Sequence, residues 1–138
     1  MDIKAILKTE KTRVAFLKGL MRLANADGIV DDSEIRFFKQ AAVALDLDER
    51  YMEEIGSVRG NESKVHLEFD TNEEKMFFLI QAVQLCWVDN DYSDEEKVEI
   101  RKICQEINIS NDALEAVEKW AEEGMEWNRR GDDLLKLS

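Results

Sequence analysis

The stretch that decides the fold is Thr71–Trp87, TNEEKMFFLIQAVQLCW. Thr71 and Glu74 have the spacing of a capping box, in which Thr and a later Glu satisfy the first backbone amides of a helix. The residues after Glu74 are apolar on nearly every side, and a helix of that kind is buried. The sequence therefore predicts that this segment is the central helix of the protein.

Helical periodicity continues on both sides of this segment, and the chain contains no proline. Apolar spacing predicts further helices over about 3–26, from near Asp32, after Asp48, over about 94–107 and after Ser110 or Asn111. We interpret 56–70 as a linker that can hold one helical turn, and we expect a short amphipathic turn after Asn128. The expected fold class is all-α, a compact bundle of about six to seven helices.

An internal repeat organises the chain. Shifted by 62 residues, Leu23 matches Leu85 and Asp27 matches Asp89, and the register holds without gaps. The repeated segments are roughly 14–58 and 76–120. We therefore expect a single domain over 1–138, built from two pseudo-symmetric halves of three helices each.

The net charge limits the classes of partner. The chain has 31 acidic residues against 19 Lys and Arg, a net charge of −12. A strongly acidic protein is a poor ligand for nucleic acid or an anionic membrane surface, because both require clustered positive charge. No apolar run approaches the roughly 20 residues of a membrane span, so we expect no membrane insertion. Metal cations and basic protein partners remain open.

Two cysteines, Cys86 and Cys104, lie within apolar helical patterns. We interpret both as small, reduced core residues rather than as a disulfide, a metal pair or a nucleophile. The N-terminal segment is charged throughout and does not have the pattern of a signal peptide. We therefore expect a cytoplasmic protein.

Each half contains one acidic turn between its first two predicted helices: ADGIVDDSE at 26–34 in the first half and VDNDYSDEE at 88–96 in the second. Helix punctuation explains much of both. Gly28 and Asn90 stand where helices often end in a left-handed residue. Two pairs have capping-box spacing: Asp31 with Glu34, and Ser93 with Glu96.

Asp27 and Asp89 do not fit this explanation. Each follows the C-terminal end of a predicted helix, where the helix dipole disfavours an acid. Carboxylate oxygens at this spacing suit a hard cation, so we predict a divalent cation site, favouring Ca²⁺ and then Mg²⁺. A standard EF-hand is rejected because its first ligand position falls on Leu23 or Leu85. The candidate ligands are Asp27, Asp31, Glu34, Asp89, Asp91 and Glu96.

The pattern A-D-G-x-V-x-x-x-E after an apolar helix, with the turn repeated, resembles the tellurite-resistance protein B (TerB-like) family. The resemblance covers about Leu17 to Met125. It implies a compact all-helical domain, a metal site in the acidic turns, and a role in tellurite resistance or the stress response. The motif falls on Asp27, Gly28, Glu34, Asp89 and Glu96. The chain departs from it at Asn90, where a glycine is missing, and at Asp91.

Other functional signals are weak. The chain has no nucleophile–base pair, no glycine-rich phosphate loop and no CxxC motif, so we do not expect an enzyme. His66, the only histidine, has no partner in sequence and is assigned a surface or packing role. Trp87 and Trp120 are expected in the core, whereas Trp127 could mark a contact surface. The alternative function is a non-enzymatic protein–protein interaction module with an acidic surface and no metal.

Overall fold

The computed structural model describes residues 2–26, 32–56, 66–87 and 92–137, with the backbone alone for 32–35 and 37. Within these ranges the chain is all-α, as predicted, with seven helices and no strand. The helices are α1 (Ile3–Ile6), α2 (Glu10–Ala24), α3 (Asp32–Ala44), α4 (Arg50–Gly56), α5 (Asn72–Trp87), α6 (Asp94–Glu106) and α7 (Asn111–Leu134). None of the helices described in these ranges has both the length and the apolar character needed to cross a membrane.

The first turn of α5 has the predicted capping box. The Thr71 hydroxyl accepts a hydrogen bond from the Glu74 amide at 3.1 Å, and Glu74 Oε1 accepts one from the Thr71 amide at 2.8 Å. The Asp70 amide also donates to Glu74 Oε1 at 2.9 Å, which compensates for the burial of this carboxylate. Beyond the cap, α5 buries six apolar side chains: Phe77, Phe78, Leu79, Ala82, Val83 and Cys86.

Helices α2 and α5 pack against each other at the centre of the bundle. Gly19 of α2 allows the close approach, since a Cβ atom there would come within 2.6 Å of Phe78 Cζ and 3.1 Å of Leu67 Cδ1. The Phe78 ring also lies edge-on to Phe16, with ring centroids 6.3 Å apart. The core therefore depends on a bulky residue of α5 filling the space that a missing side chain leaves on α2.

The ends of α3 and α6 have the same backbone geometry. Asp46 and Asn108, separated by the repeat interval, adopt the left-handed conformation with φ of 55° and 61°. The amide of Leu47 donates to the carbonyl of Ala42 at 2.9 Å, and the amide of Ile109 donates to that of Cys104 at 2.8 Å. Both helices thus end in a Schellman motif. The sequence repeat is accompanied by a repeat of local structure at these helix ends.

The prediction of a single helix over 3–26 is wrong, because the helical conformation is interrupted between α1, which ends at Ile6, and α2, which begins at Glu10. The Thr9 hydroxyl accepts a hydrogen bond from the Thr12 amide at 3.2 Å and so caps a new helix. Arg13 Nε donates to the Leu7 carbonyl at 2.7 Å, and its Nη1 donates to the Leu45 carbonyl at 2.9 Å. One guanidinium therefore holds the carbonyl at the end of α1 and the carbonyl that follows α3.

The tail is also different from the prediction. The residues after Asn128 do not form a separate short turn but continue α7 to Leu134. Ser110 caps this helix by accepting a hydrogen bond from the Ala113 amide at 3.1 Å. The buried residues of α7 end at Ala121, and every helical residue after Met125 is exposed. The second half of α7 therefore lies outside the described core.

Candidate functional site

Most of the predicted cation ligands fall outside the residues that the structure describes. These are Asp27, Asp31, Asp89 and Asp91. Glu34 lies in the first turn of α3, but its side chain is not among those described. Within the described part of the chain, no group of three or more His, Cys, Asp and Glu side chains could hold a metal ion. The cation site therefore stays a prediction.

Glu96 is the one candidate ligand whose side chain is described, and it forms the predicted capping box. Its Oε1 accepts a hydrogen bond from the Ser93 amide at 3.0 Å, while the Ser93 hydroxyl accepts one from the Glu96 amide at 3.2 Å. One carboxylate oxygen is thus committed to the start of α6. Helix capping is sufficient to explain Glu96.

Three buried hydrogen-bond donors adjoin the acidic turns: Asn25 Nδ2, Trp87 Nε1 and the Tyr92 hydroxyl. None has a hydrogen-bond partner among the described residues. Asn25 and Trp87 stand two residues before the first aspartate of each turn, and Tyr92 directly follows Asp91 of the second turn. Leaving a buried donor without an acceptor costs about 1–3 kcal/mol. An acceptor group at the edge of either turn would therefore be favourable.

Cys86 and Cys104 are buried in the core, as predicted, and both are free cysteines in this structure. Burial raises the pKa of the Cys104 thiol to about 11, with a contribution from the nearby Glu118 carboxylate. Burial also raises the pKa of Cys86, and Glu96 adds to the effect. A thiol of raised pKa stays protonated at neutral pH and is a poor nucleophile. These cysteines are packing residues.

Tyr92 packs near both cysteines, and burial followed by Glu118 raises its pKa. The Glu118 carboxylate is close enough to act on this pKa, although the hydroxyl makes no hydrogen bond of normal geometry to a described residue. The Trp87 ring lies against the Tyr92 ring, with centroids 5.8 Å apart. These contacts bring the C-terminal end of α5 close to α6 and α7.

Sequence reasoning missed Arg22, whose side chain is only 2 % exposed. Its guanidinium donates to both carboxylate oxygens of Glu106, at 2.7 and 3.0 Å, and its Nε donates to Glu99. Burial disfavours the charge, but the hydrogen bonds to Glu106 and Glu99 outweigh it and raise the pKa of Arg22. The available signal was a lone arginine within an apolar helix, GLMRLA at 19–24. The cluster joins α2 to α6 and has a structural role.

A groove lies between the C-terminal end of α5 and the middle of α7. Its volume is about 590 Å³. Its lining includes Trp87, Gln84, Trp120, Gly124 and Met125. Trp120 was expected in the core, but 46 % of its surface is exposed, so that prediction is wrong. Val117 and Ala121 form the side of α7 that is buried against the bundle. Trp120 lies on an adjacent side of the helix and is therefore partly exposed.

The exposed ridge of α7 continues beyond Trp120. We call the residues Trp120, Gly124, Trp127, Gly131 and Leu134 the α7 stripe. Steps of four and three residues place them on one side of the helix. Trp127 is 69 % exposed, and Leu134 is exposed with it. A Cβ atom added at Gly124 or Gly131 would meet nothing within 4 Å. The stripe therefore alternates large apolar side chains with open positions on the helix surface.

Comparisons with known proteins add no assignment: no protein family, curated protein or solved structure gave a significant match to the chain.

Proposed function

We propose that this chain is a non-catalytic helical domain that acts by binding another protein through the α7 stripe. The observation that carries the proposal is the exposure of Trp120, Trp127 and Leu134 along one side of α7. Single exposed apolar residues are common on protein surfaces, but several large ones aligned along one side of a helix mark an interaction site. Tryptophan is also among the residues that contribute most to the affinity of protein interfaces.

The length of α7 supports this proposal. The helix spans 24 residues, yet its buried residues end at Ala121. A helical segment without tertiary packing is marginal in water, so the second half of α7 gains stability when its apolar side is covered. The partner that matches a narrow apolar stripe is an amphipathic helix with an apolar stripe of its own.

Photocrosslinking in cells tests the proposal even when the partner has not been identified. A photoreactive phenylalanine derivative replaces Trp127 in one variant and Glu122 in a control, and both are expressed in the cells that make the protein. Glu122 is exposed on another side of the same helix. We expect a protein adduct from position 127 and none from 122. Equal labelling at both positions, or no adduct at either, contradicts the proposal.

A second candidate function is divalent cation binding in a TerB-like domain, with Ca²⁺ favoured over Mg²⁺. Its support is the repeated acid at Asp27 and Asp89 after α2 and α5, together with the donors of Asn25, Trp87 and Tyr92 that find no hydrogen-bond acceptor among the described residues. Such donors can orient carboxylates that in turn bind a cation. A link to tellurite resistance or the stress response would follow from family membership.

Calorimetric titration of metal-free protein with Ca²⁺, Mg²⁺ and Zn²⁺ tests this second candidate. We expect saturable heat that disappears in the double variant Asp27→Asn/Asp89→Asn. The control Glu49→Gln/Glu53→Gln removes two exposed acids elsewhere and should leave the heat unchanged. Heat that persists in the aspartate variant, or no heat with any of the three metals, rules out a cation site at these residues.

A further inference from the structure

The α7 stripe matches a second copy of itself. We infer that two copies of this chain associate through antiparallel α7 helices, related by a two-fold axis between Met125 and Glu126. This inference rests on the proposed protein-binding function of the stripe and names its partner. Isologous contacts of this kind are the commonest in soluble homo-oligomers, because a single self-complementary surface serves both copies.

Shape complementarity supports this register. The two-fold axis places Trp127 opposite Gly124 of the second copy, and Trp120 opposite its Gly131. Each indole then lies over a helix position that has no side chain and no neighbouring atom within 4 Å of an added Cβ. Both copies make the same two contacts, so this single register places four tryptophans, two from each copy, opposite glycines. Other registers place tryptophan against charged residues or leave the glycine positions empty.

Charge complementarity supports the same register. Lys119, Glu123, Arg130 and Asp133 lie along one flank of the stripe, together with Glu126, which is paired with Arg129 of its own chain. In an antiparallel pair related by a two-fold axis, the same flank of each helix meets its counterpart. Arg130 then comes beside Glu123 of the second copy, and Lys119 comes beside its Asp133. All four side chains are exposed in the single chain, and no ion pair joins them to another described residue. The symmetry doubles both opposite-charge contacts.

The end of α7 completes the match. Leu134, Leu135 and Leu137 are exposed beyond the core. In the antiparallel register, Leu134 of the second copy comes level with the turn of α7 that carries the exposed Ala116, next to Trp120. The groove between α5 and α7 opens beside the same tryptophan. The apolar end of one α7 therefore lies beside the exposed Trp120 of the other copy, and the two bundles stand at opposite ends of the helix pair.

Sedimentation equilibrium of the purified full chain tests the association. We expect a species of twice the 16.0 kDa chain mass. Trp127→Glu should raise the dimer dissociation constant by roughly 30-fold or more, the change expected for a central interface residue. Glu122→Gln, on another side of α7, should leave it unchanged. Circular dichroism checks that each variant keeps its helices.

Two further variants test the register itself. Gly124→Leu adds an apolar side chain that has open space around it in the single chain. In the dimer, the same side chain would occupy the space of the second copy's Trp127, so this variant should weaken the dimer. Glu123→Arg should weaken it by placing two arginines together, and Glu123→Arg with Arg130→Glu should restore it. Any of four results overturns the inference. The wild-type protein is a monomer at all concentrations, or the dimer survives Trp127→Glu. Alternatively, Gly124→Leu associates more tightly than the wild-type protein, or the charge exchange fails to restore the dimer.

The two proposals fail differently. A purified monomer combined with a position-127 adduct to a different protein overturns the second-copy inference and leaves the protein-binding function in place. An adduct of two chain masses supports both. Absence of any adduct from position 127, with a purified monomer, contradicts both.

Discussion

Gly19 and Gly124 are both helical glycines, but their surroundings give them opposite effects on stability. We expect Gly19→Ala to lower the free energy of unfolding by about 1–3 kcal/mol, because the new Cβ would overlap the Phe78 ring. Gly124→Ala should raise it by about 0.5–1 kcal/mol, since alanine favours the helix and nothing blocks its methyl group. Urea denaturation at low protein concentration measures both. Equal changes would contradict the close packing of α2 on α5.

Arg22 presents a different residue-scale problem, a charge that is buried yet paired. Arg22→Met should lower the free energy of unfolding by about 3 kcal/mol, because it leaves the partly buried Glu99 carboxylate without its partner. Adding Glu99→Leu to this variant should recover part of the loss, since no unpaired charge then remains inside. Chemical denaturation of the single and double variants gives the comparison. A double variant less stable than Arg22→Met contradicts this explanation.

The two carboxylates of this cluster are not equivalent. The Glu99 side chain is 16 % exposed and that of Glu106 is 44 % exposed. Water can solvate Glu106 if its partner is lost, but it reaches Glu99 poorly. The burial of Arg22 itself could not be derived from periodicity, because a long arginine can extend from the apolar side of a helix to solvent. The packing of α6 against α2 decides that it does not.

At the scale of elements, the two capping boxes were the most predictable features. Thr71 with Glu74 and Ser93 with Glu96 form the expected boxes, because a cap joins groups only three residues apart. The extent of α7 was less predictable. Two glycines in its second half weaken the local helical signal, yet they stop the helix only if the chain has a better alternative. The helix continues through both to Leu134.

The capping box of α6 also predicts how Glu96 behaves. Ser93→Ala should lower the free energy of unfolding by about 1 kcal/mol, because the Glu96 amide loses its acceptor. Glu96→Gln should cost clearly less, since glutamine can accept the hydrogen bond from the Ser93 amide in its place. Thermal or urea unfolding of the two variants provides the measurement. A larger loss for Glu96→Gln would indicate that its charge has a further role.

At the scale of the whole molecule, two buried thiols and one buried phenol make the free energy of unfolding depend on pH. The pKa values of Cys86, Tyr92 and Cys104 are all raised by burial, that of Cys104 to about 11. Above about pH 9 the unfolded chain releases thiol protons that the folded chain retains, so the free energy of unfolding should fall from there towards pH 11. The stabilising effect of the neutral thiols is fully present below this window.

Urea denaturation at pH 7, 9 and 10.5 tests this linkage. Cys104→Ala removes one of the linked protons, so its stability should fall less steeply with pH than that of the wild-type protein. The difference in the free energy of unfolding between the wild-type protein and Cys104→Ala should therefore become smaller as the pH rises. Parallel pH profiles would show that the Cys104 thiol has the same pKa in the folded and unfolded chains.

The sequence by itself determined the all-α class, the central buried helix and the capping boxes that begin α5 and α6. These features depend on residues within a few positions of one another, so periodicity and local hydrogen bonding specify them. Tertiary structure decided that Arg22 is enclosed by Glu99 and Glu106 and that the stripe from Trp120 to Leu134 remains uncovered. The physical reason is that an apolar face is defined by one helix, whereas its burial depends on which other helices pack against it.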